Sequence, residues 1–168
     1  TLPAVQEYNH TYANSFGAGA NTMMAVTKNT SDNFLAFKNL CGYLKLKFYG
    51  EDVTVKSITV KGNNGEKIAG KATVSMAYGS EPTIAMGNDA TDTITIDCGE
   101  GVALSTTEPT YLHIAVPAGK YDELYVTLYD KDGGVMYATV KTDETKPLVA
   151  GKIREFTTNI NYVATTSV

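Results

Sequence analysis

Across residues 42–48 apolar and polar side chains alternate without a break. Leu44, Leu46 and Phe48 fall on one side, and Tyr43, Lys45 and Lys47 on the other. That is the period of a β-strand with one dry face and one wet face. Ser57-Ile58-Thr59-Val60 carries the same alternation, and Asn64-Gly65 supplies the positive φ angles of a tight turn. The expectation is a hairpin joining residues 53–60 to residues 68–78, with Gly70 marking a bulge in the second strand.

The grammar repeats to the C-terminus. Residues 34–37 read as a short strand, 83–86 as a short edge strand and 93–98 as another, with Gly99-Glu100-Gly101 turning the chain. Residues 110–116 put Leu112, Ile114 and Val116 on one face. Residues 121–129 put Leu124, Val126 and Leu128 inward, with Tyr125, Thr127 and Tyr129 outward. Asp130-Lys131-Asp132-Gly133-Gly134 predicts a hairpin to residues 135–141. After Gly151 a last strand places Phe156, Thr158, Ile160 and Tyr162 on one face. No segment holds helical period long enough for an amphipathic helix. About seven to nine short strands at this spacing predict an all-β, two-sheet Greek-key β-sandwich.

The division expected is an extended N-terminal arm over residues 1–33 and a sandwich domain over 34–168. The arm is polar and rich in Gly, Asn and Thr, with one short apolar strand at Met23-Met24-Ala25-Val26. With 168 residues, 43% hydrophobic and 19% charged, the chain is globular and long enough for a true core. Eleven tyrosines and no tryptophan favour strands. A net charge of −4 argues against nucleic acid, whose phosphates need a clustered basic face. No stretch approaches the roughly 20 apolar residues of a membrane helix. The chain starts at Thr1 with neither a methionine nor a signal peptide, which fits a processed or trimmed form and leaves export open.

Residues that could carry chemistry are few. Cys41 and Cys98 form no CxxC pair and have no histidine near them, so zinc is not expected. They are either one disulfide or buried thiols, and Cys98 shares the inward phase of Ile94 and Ile96. His10 lies in the arm. His113 lies opposite Leu112 and Ile114 and reads as a solvated strand residue. No G-x-S-x-G turn offers a nucleophile. Asp130-Lys131-Asp132-Gly133 opens like a calcium loop but lacks its closing glutamate, so it reads as a turn. Glu81, Asp89 and Asp92 crowd one loop region, where only an adventitious cation is conceivable. The expectation is no enzyme, no cofactor and no metal. Tyr125 and Tyr129, with Tyr111 and Tyr137, suggest an aromatic strip of the kind that stacks on sugar rings, the basis of a carbohydrate-binding alternative.

Phe37-Lys38-Asn39-Leu40-Cys41-Gly42-Tyr43-Leu44-Lys45 resembles the F-x-N-L-x-G-x-L-x segment of fimbrillin-like surface proteins of the Bacteroidales. Tyr8 and Met23-Met24-Ala25 resemble that family's lead-in, with Thr22 where proline is usual. Ser57 to Val60 followed by Ile68-Ala69-Gly70, Tyr111 to Pro117, and Ala150-Gly151-Lys152 resemble its later steps in order. The resemblance implies transthyretin-like sandwich domains, exported to the outer membrane, cell surface or a fimbrium, often through a lipid anchor on a removed leader. It implies adhesion, with other fimbrial subunits, surface proteins or host and bacterial surface ligands as partners. It also implies assembly by β-strand exchange, for which Met23, Met24, Val26, Phe156, Ile160 and Tyr162 are the candidate residues. Shaft subunits of the family carry two sandwich domains and this chain has length for one, so it is either a piece or a short member. Asp92-Thr93-Ile94 resembles the short O-glycosylation signal of those bacteria, although it reads first as the ordinary start of a strand.

Overall fold

The structure, a computed structural model, describes residues 1–12, 15–142 and 145–163, with side chains for all of these except 157 and 158. Thr158 therefore lies outside the described side chains. Twelve strands and no helix make up the regular structure of these residues. They are β1 (Val5–Glu7), β2 (Met23–Met24), β3 (Lys38–Asn39), β4 (Cys41–Tyr49), β5 (Thr54–Gly62), β6 (Ala72–Ser75), β7 (Thr83–Met86), β8 (Thr93–Ala103), β9 (Thr110–Pro117), β10 (Glu123–Asp130), β11 (Val135–Lys141) and β12 (Ile153–Asn161). The protein is all-β and sandwich-like. A five-stranded sheet runs β1-β8-β5-β10-β11, a three-stranded sheet runs β12-β4-β9, and β2-β3 and β6-β7 are small ladders.

The core is built from the alternating positions. Ile58 pairs with Ile96 and Leu128, and Val60 with Ile94 and Val126, forming apolar rows across the inner face of the large sheet. Leu44 opposite Ile114 and Leu46 opposite Leu112 form the facing rows of the small sheet. All of these side chains, with Phe48 and Leu124, join one buried cluster between the sheets. Each fully buried aliphatic or aromatic side chain contributes about 1.5–3 kcal/mol relative to exposure.

Several local expectations change. Asn64-Gly65 does turn, with Gly65 at φ 72°, but it makes no hairpin. β5 is taken on both sides by β8 and β10, so the chain beyond the turn must leave the sheet, and β6 pairs with β7 instead. Gly99-Glu100-Gly101 does not end its strand. β8 continues to Ala103, with Gly99 and Gly101 at positive φ where the β5–β8 register shifts, so the glycines build an irregularity inside a long strand. Residues 34–37 form no strand. The expected β10–β11 hairpin is present.

The two chain ends pair in a way no alternation announces. β1 lies parallel to β8, and β12 lies parallel to β4. Residues 1–33 are also more deeply integrated than their composition suggests. Leu2 and Ala20 are buried, and Phe16 and Met24 pack with them against Leu40, Cys41, Tyr43 and Ala115. Val74, Ile84 and Met86 of the β6–β7 ladder join the same cluster. The outer face of the small sheet is therefore covered at its Tyr43 end. Phe16 stacks on Tyr43 with ring centroids 4.7 Å apart, and the Tyr43 hydroxyl donates to Asn21 Oδ1 at 2.5 Å. Gln6 is 3% exposed and ties the sheets together. From β1 its side-chain amide donates to the Ala115 carbonyl (2.7 Å) and accepts from the Ala115 N–H (3.0 Å), imitating a backbone partner on β9.

Candidate interaction sites

Phe156 and Ile160 come together at an open margin of the sandwich. β11 ends the large sheet and β12 ends the small one, and neither has a second neighbour among the described residues. Between them lies a cleft of ≈330 Å³ lined by Leu46, Thr139, Val140, Lys141, Phe156 and Ile160. Leu46 brings the core to its floor, and Phe156 packs half-buried against that core. Arg154 lies over the Phe156 ring, 5.3 Å from its centroid, so cationic groups stand beside an apolar opening. Tyr162 does not line the cleft. Its hydroxyl donates to Asp130 Oδ2 at 2.7 Å, while Asp130 Oδ1 accepts from the N–H groups of Asp132 (2.8 Å) and Gly134 (2.7 Å). The Tyr162 bond, joined by those turn amides, holds the Asp130 carboxyl below its ordinary value. Burial and the Asp130 carboxylate push the Tyr162 phenol up to about 12. The Asp130 turn thus serves as an anchor for the end of the last strand.

Met23, Met24 and Val26 do not line this cleft. Met23 and Met24 pair with Lys38 and Asn39, with Met23 exposed and Met24 half-buried. Between β2 and β3 the chain forms a loop whose far side is unexpected. Phe34 is 72% and Phe37 62% exposed, and Leu35 is exposed between them. Asp32 shapes this loop by accepting from the N–H groups of Lys28 (3.2 Å) and Phe34 (3.0 Å). Sequence reasoning missed these side chains as a surface feature. The available signal was Phe34-Leu35-Ala36-Phe37 itself, which has no polar residue to form a wet face.

The tyrosine strip forms in part. Tyr137 lies opposite Thr127, diagonal to both Tyr125 and Tyr129, at the roughly 7–8 Å spacing of such neighbours. The three sit on the outer face of the large sheet, and Tyr137 is 73% exposed. A shallow cleft of ≈360 Å³ there is lined by Tyr125, Tyr137, Thr59, Thr93, Thr127 and Thr139, among others. Lys61, also in its wall, is neutralised by Asp92 at 3.0 Å. Tyr111 is not part of it. It stands on the small sheet beneath Lys45, whose Nζ is 4.3 Å from the ring centroid, and the four-ring strip fails because β9 and β10 belong to different sheets.

The crowded carboxylates are occupied by lysines: Glu81 by Lys38, Asp89 by Lys71 at 3.7 Å, and Asp92 by Lys61. Thr93, in the glycosylation-like signal, donates its hydroxyl to Asp92 Oδ1 at 2.9 Å. Cys41 and Cys98 are buried free thiols in separate clusters. Burial pushes their pKa values up to about 11 and about 12.

His113 is not solvated. It is 5% exposed, and its Nδ1 has no hydrogen-bond partner among the described residues. The alternation placed it correctly on the outer face, but that face is covered around its neighbour Ala115. Burial first, and Lys45 second, lower its pKa, against a smaller opposing pull from Glu155. Protonation is thus disfavoured in the folded chain, while the unfolded chain takes up the proton at the ordinary value of about 6.5. The His113 contribution to stability is complete above that value and is lost as pH falls from there through the lowered folded value. We expect urea midpoints to drop on acidification before the carboxylates titrate, and His113→Phe to flatten that part of the profile. An unchanged slope in the variant would exclude His113 as its source.

No protein-family model matches the chain, and no curated protein matches it. Among solved structures it is similar to the crystal structure of a candidate cell adhesion protein from Bacteroides uniformis, with a TM-score of 0.47 and 16% identity. The alignment covers 76% of this chain and 48% of that one, so this chain spans about half the length of that structure.

Proposed function

We propose that this chain is a non-enzymatic structural or adhesion protein of the fimbrillin-like type. It is exported to the outer membrane, cell surface or a fimbrium, and its subunits join by addition of a β-strand. The observation that carries this reading is the cleft between β11 and β12, the strands that end their sheets among the described residues. An edge strand offers free N–H and C=O groups to an incoming segment, and a cleft beside it accepts alternate side chains. The partners are other subunits or surface proteins. The intact chain at high concentration is expected to give SDS-resistant ladders on unboiled gels. Phe156→Lys, which sets a charge in the cleft, is expected to abolish them. Monomer bands alone, or ladders indifferent to Phe156, would overturn strand addition here.

A second reading is favoured by the tyrosine face. Three phenol rings with threonine hydroxyls between them, and one ion-paired lysine, match the chemistry of a neutral glycan, which offers apolar ring faces and hydroxyl edges. Neutral oligosaccharides on a printed array are expected to bind the wild type and to bind Tyr125→Ala and Tyr137→Ala about tenfold more weakly. Binding that ignores both substitutions would remove this reading.

A further inference from the structure

The geometry points to an unbranched neutral glycan, bound along its interior over at least three sugar units, as the ligand of the face that carries Tyr125, Tyr137 and Tyr129. The inference rests on the glycan reading of that face and gives it a chain length and a direction.

The three rings form a line and do not converge on a pocket. Tyr125 and Tyr129 stand four residues apart on β10, about 13 Å at the rise of a strand. Tyr137 of β11 is opposite Thr127, midway between them. Each step of two residues along the hairpin therefore brings one ring, alternately from β10 and β11. All three are exposed. A sugar ring and a phenol ring are similar in size, so one sugar covers one phenol. A single sugar does not reach from Tyr125 to Tyr129, whereas a chain laid along the hairpin meets the rings in turn. The cleft of ≈360 Å³ is lined by Tyr125 and Tyr137 but not by Tyr129. Short ligands are thus held by the first two rings, and only a longer chain gains the third.

The groups between the rings suit the interior of a chain. Thr127 lies between Thr59 and Tyr137 in one row, and Tyr125 lies between Lys61 and Thr139 in the next. Hydroxyls that both donate and accept are therefore interleaved with apolar rings, as they are along a sugar chain. The charges near the line are already paired: Lys61 with Asp92 at 3.0 Å and Lys141 with Glu123 at 3.8 Å. Asp130, next after Tyr129, accepts from the Tyr162 hydroxyl and from its own turn amides. These charges favour neither an acidic nor a basic sugar. Tyrosine has only two χ angles to fix on binding, so a row of them grips at low entropic cost.

The test is a length series. Unbranched oligosaccharides of glucose, mannose, galactose and xylose, each from the single sugar to the hexamer, are titrated into the protein by calorimetry. For the wild type, affinity in at least one series is expected to rise with length until the chain spans the three rings, and then to level. Tyr129→Ala is expected to bind the short members as wild type does and to lose about tenfold on the long ones. Tyr137→Ala, at the middle of the line, is expected to weaken every member longer than the single sugar by about tenfold. The rings are exposed, so their removal leaves folding intact. Affinity already complete with a single sugar, or a Tyr129→Ala variant whose long and short ligands change alike, would overturn the chain-interior site and leave a glycan face standing. No binding in any series would overturn both.

Discussion

Gln6→Ala is expected to lower stability by about 2–4 kcal/mol, far more than the loss of a surface glutamine. The native amide answers both the N–H and the C=O of Ala115 in a buried setting. Truncation leaves two backbone groups without a partner, and each such group costs about 1–3 kcal/mol. The damage falls on the seam between the sheets, because Gln6 sits on β1 of the large sheet and Ala115 on β9 of the small one. Hydrogen exchange at the Ala115 amide should accelerate with the fall in the urea midpoint. Gln6→Glu retains the acceptor but loses the donor and buries a charge, so it should not rescue. An alanine variant as stable as wild type would show that the bridge is dispensable.

The second large effect is expected at Phe48. It is fully buried between the sheets and borders a void of ≈10 Å³ beside Tyr8, Cys98 and Leu112. Phe48→Ala removes a core ring and enlarges a gap that already exists, at a cost of about 3–5 kcal/mol. Domains of this kind are stable by about 5–15 kcal/mol, so much of the margin goes. The urea midpoint should fall with little change in slope. The same substitution at Phe34 should move the monomer by no more than about 0.5 kcal/mol, since that ring is exposed. Equal effects at the two positions would contradict the fold described above.

Much of the sandwich was legible because two-residue alternation is local. Leu44, Leu46, Phe48, Leu112, Ile114, Leu124, Val126 and Leu128 all fall inward where their phase places them. The Asp130 turn was legible for the same reason, since a turn is made by the residues that compose it. His113 and Tyr43 were misjudged, although their phase was right. Alternation tells which face a residue takes but not whether that face is covered, and here Leu2, Phe16, Ala20 and Met24 with the β6–β7 ladder cover it at its Tyr43 end. Gly99 and Gly101 have the turn-like conformation their identity suggests, yet the strand continues through them because β5 keeps its neighbour.

The candidate sites divide along the same line. Phe156 and Ile160 were visible as an apolar face, but the cleft they share with Val140 required two strands from different sheets to end side by side. Tyr125, Tyr129 and Tyr137 meet because β10 and β11 are a local hairpin, whereas Tyr111 is lost to them because sheet membership is a long-range choice. By itself the sequence determined the all-β class, the inward set and the hairpin that gathers three tyrosines, since backbone period and turn chemistry act between near neighbours. Only the tertiary structure decided which strands lie at an edge, which outer face is roofed, and that Phe34, Leu35 and Phe37 remain in water. Those outcomes depend on contacts between residues far apart in the chain, which two-residue alternation does not report.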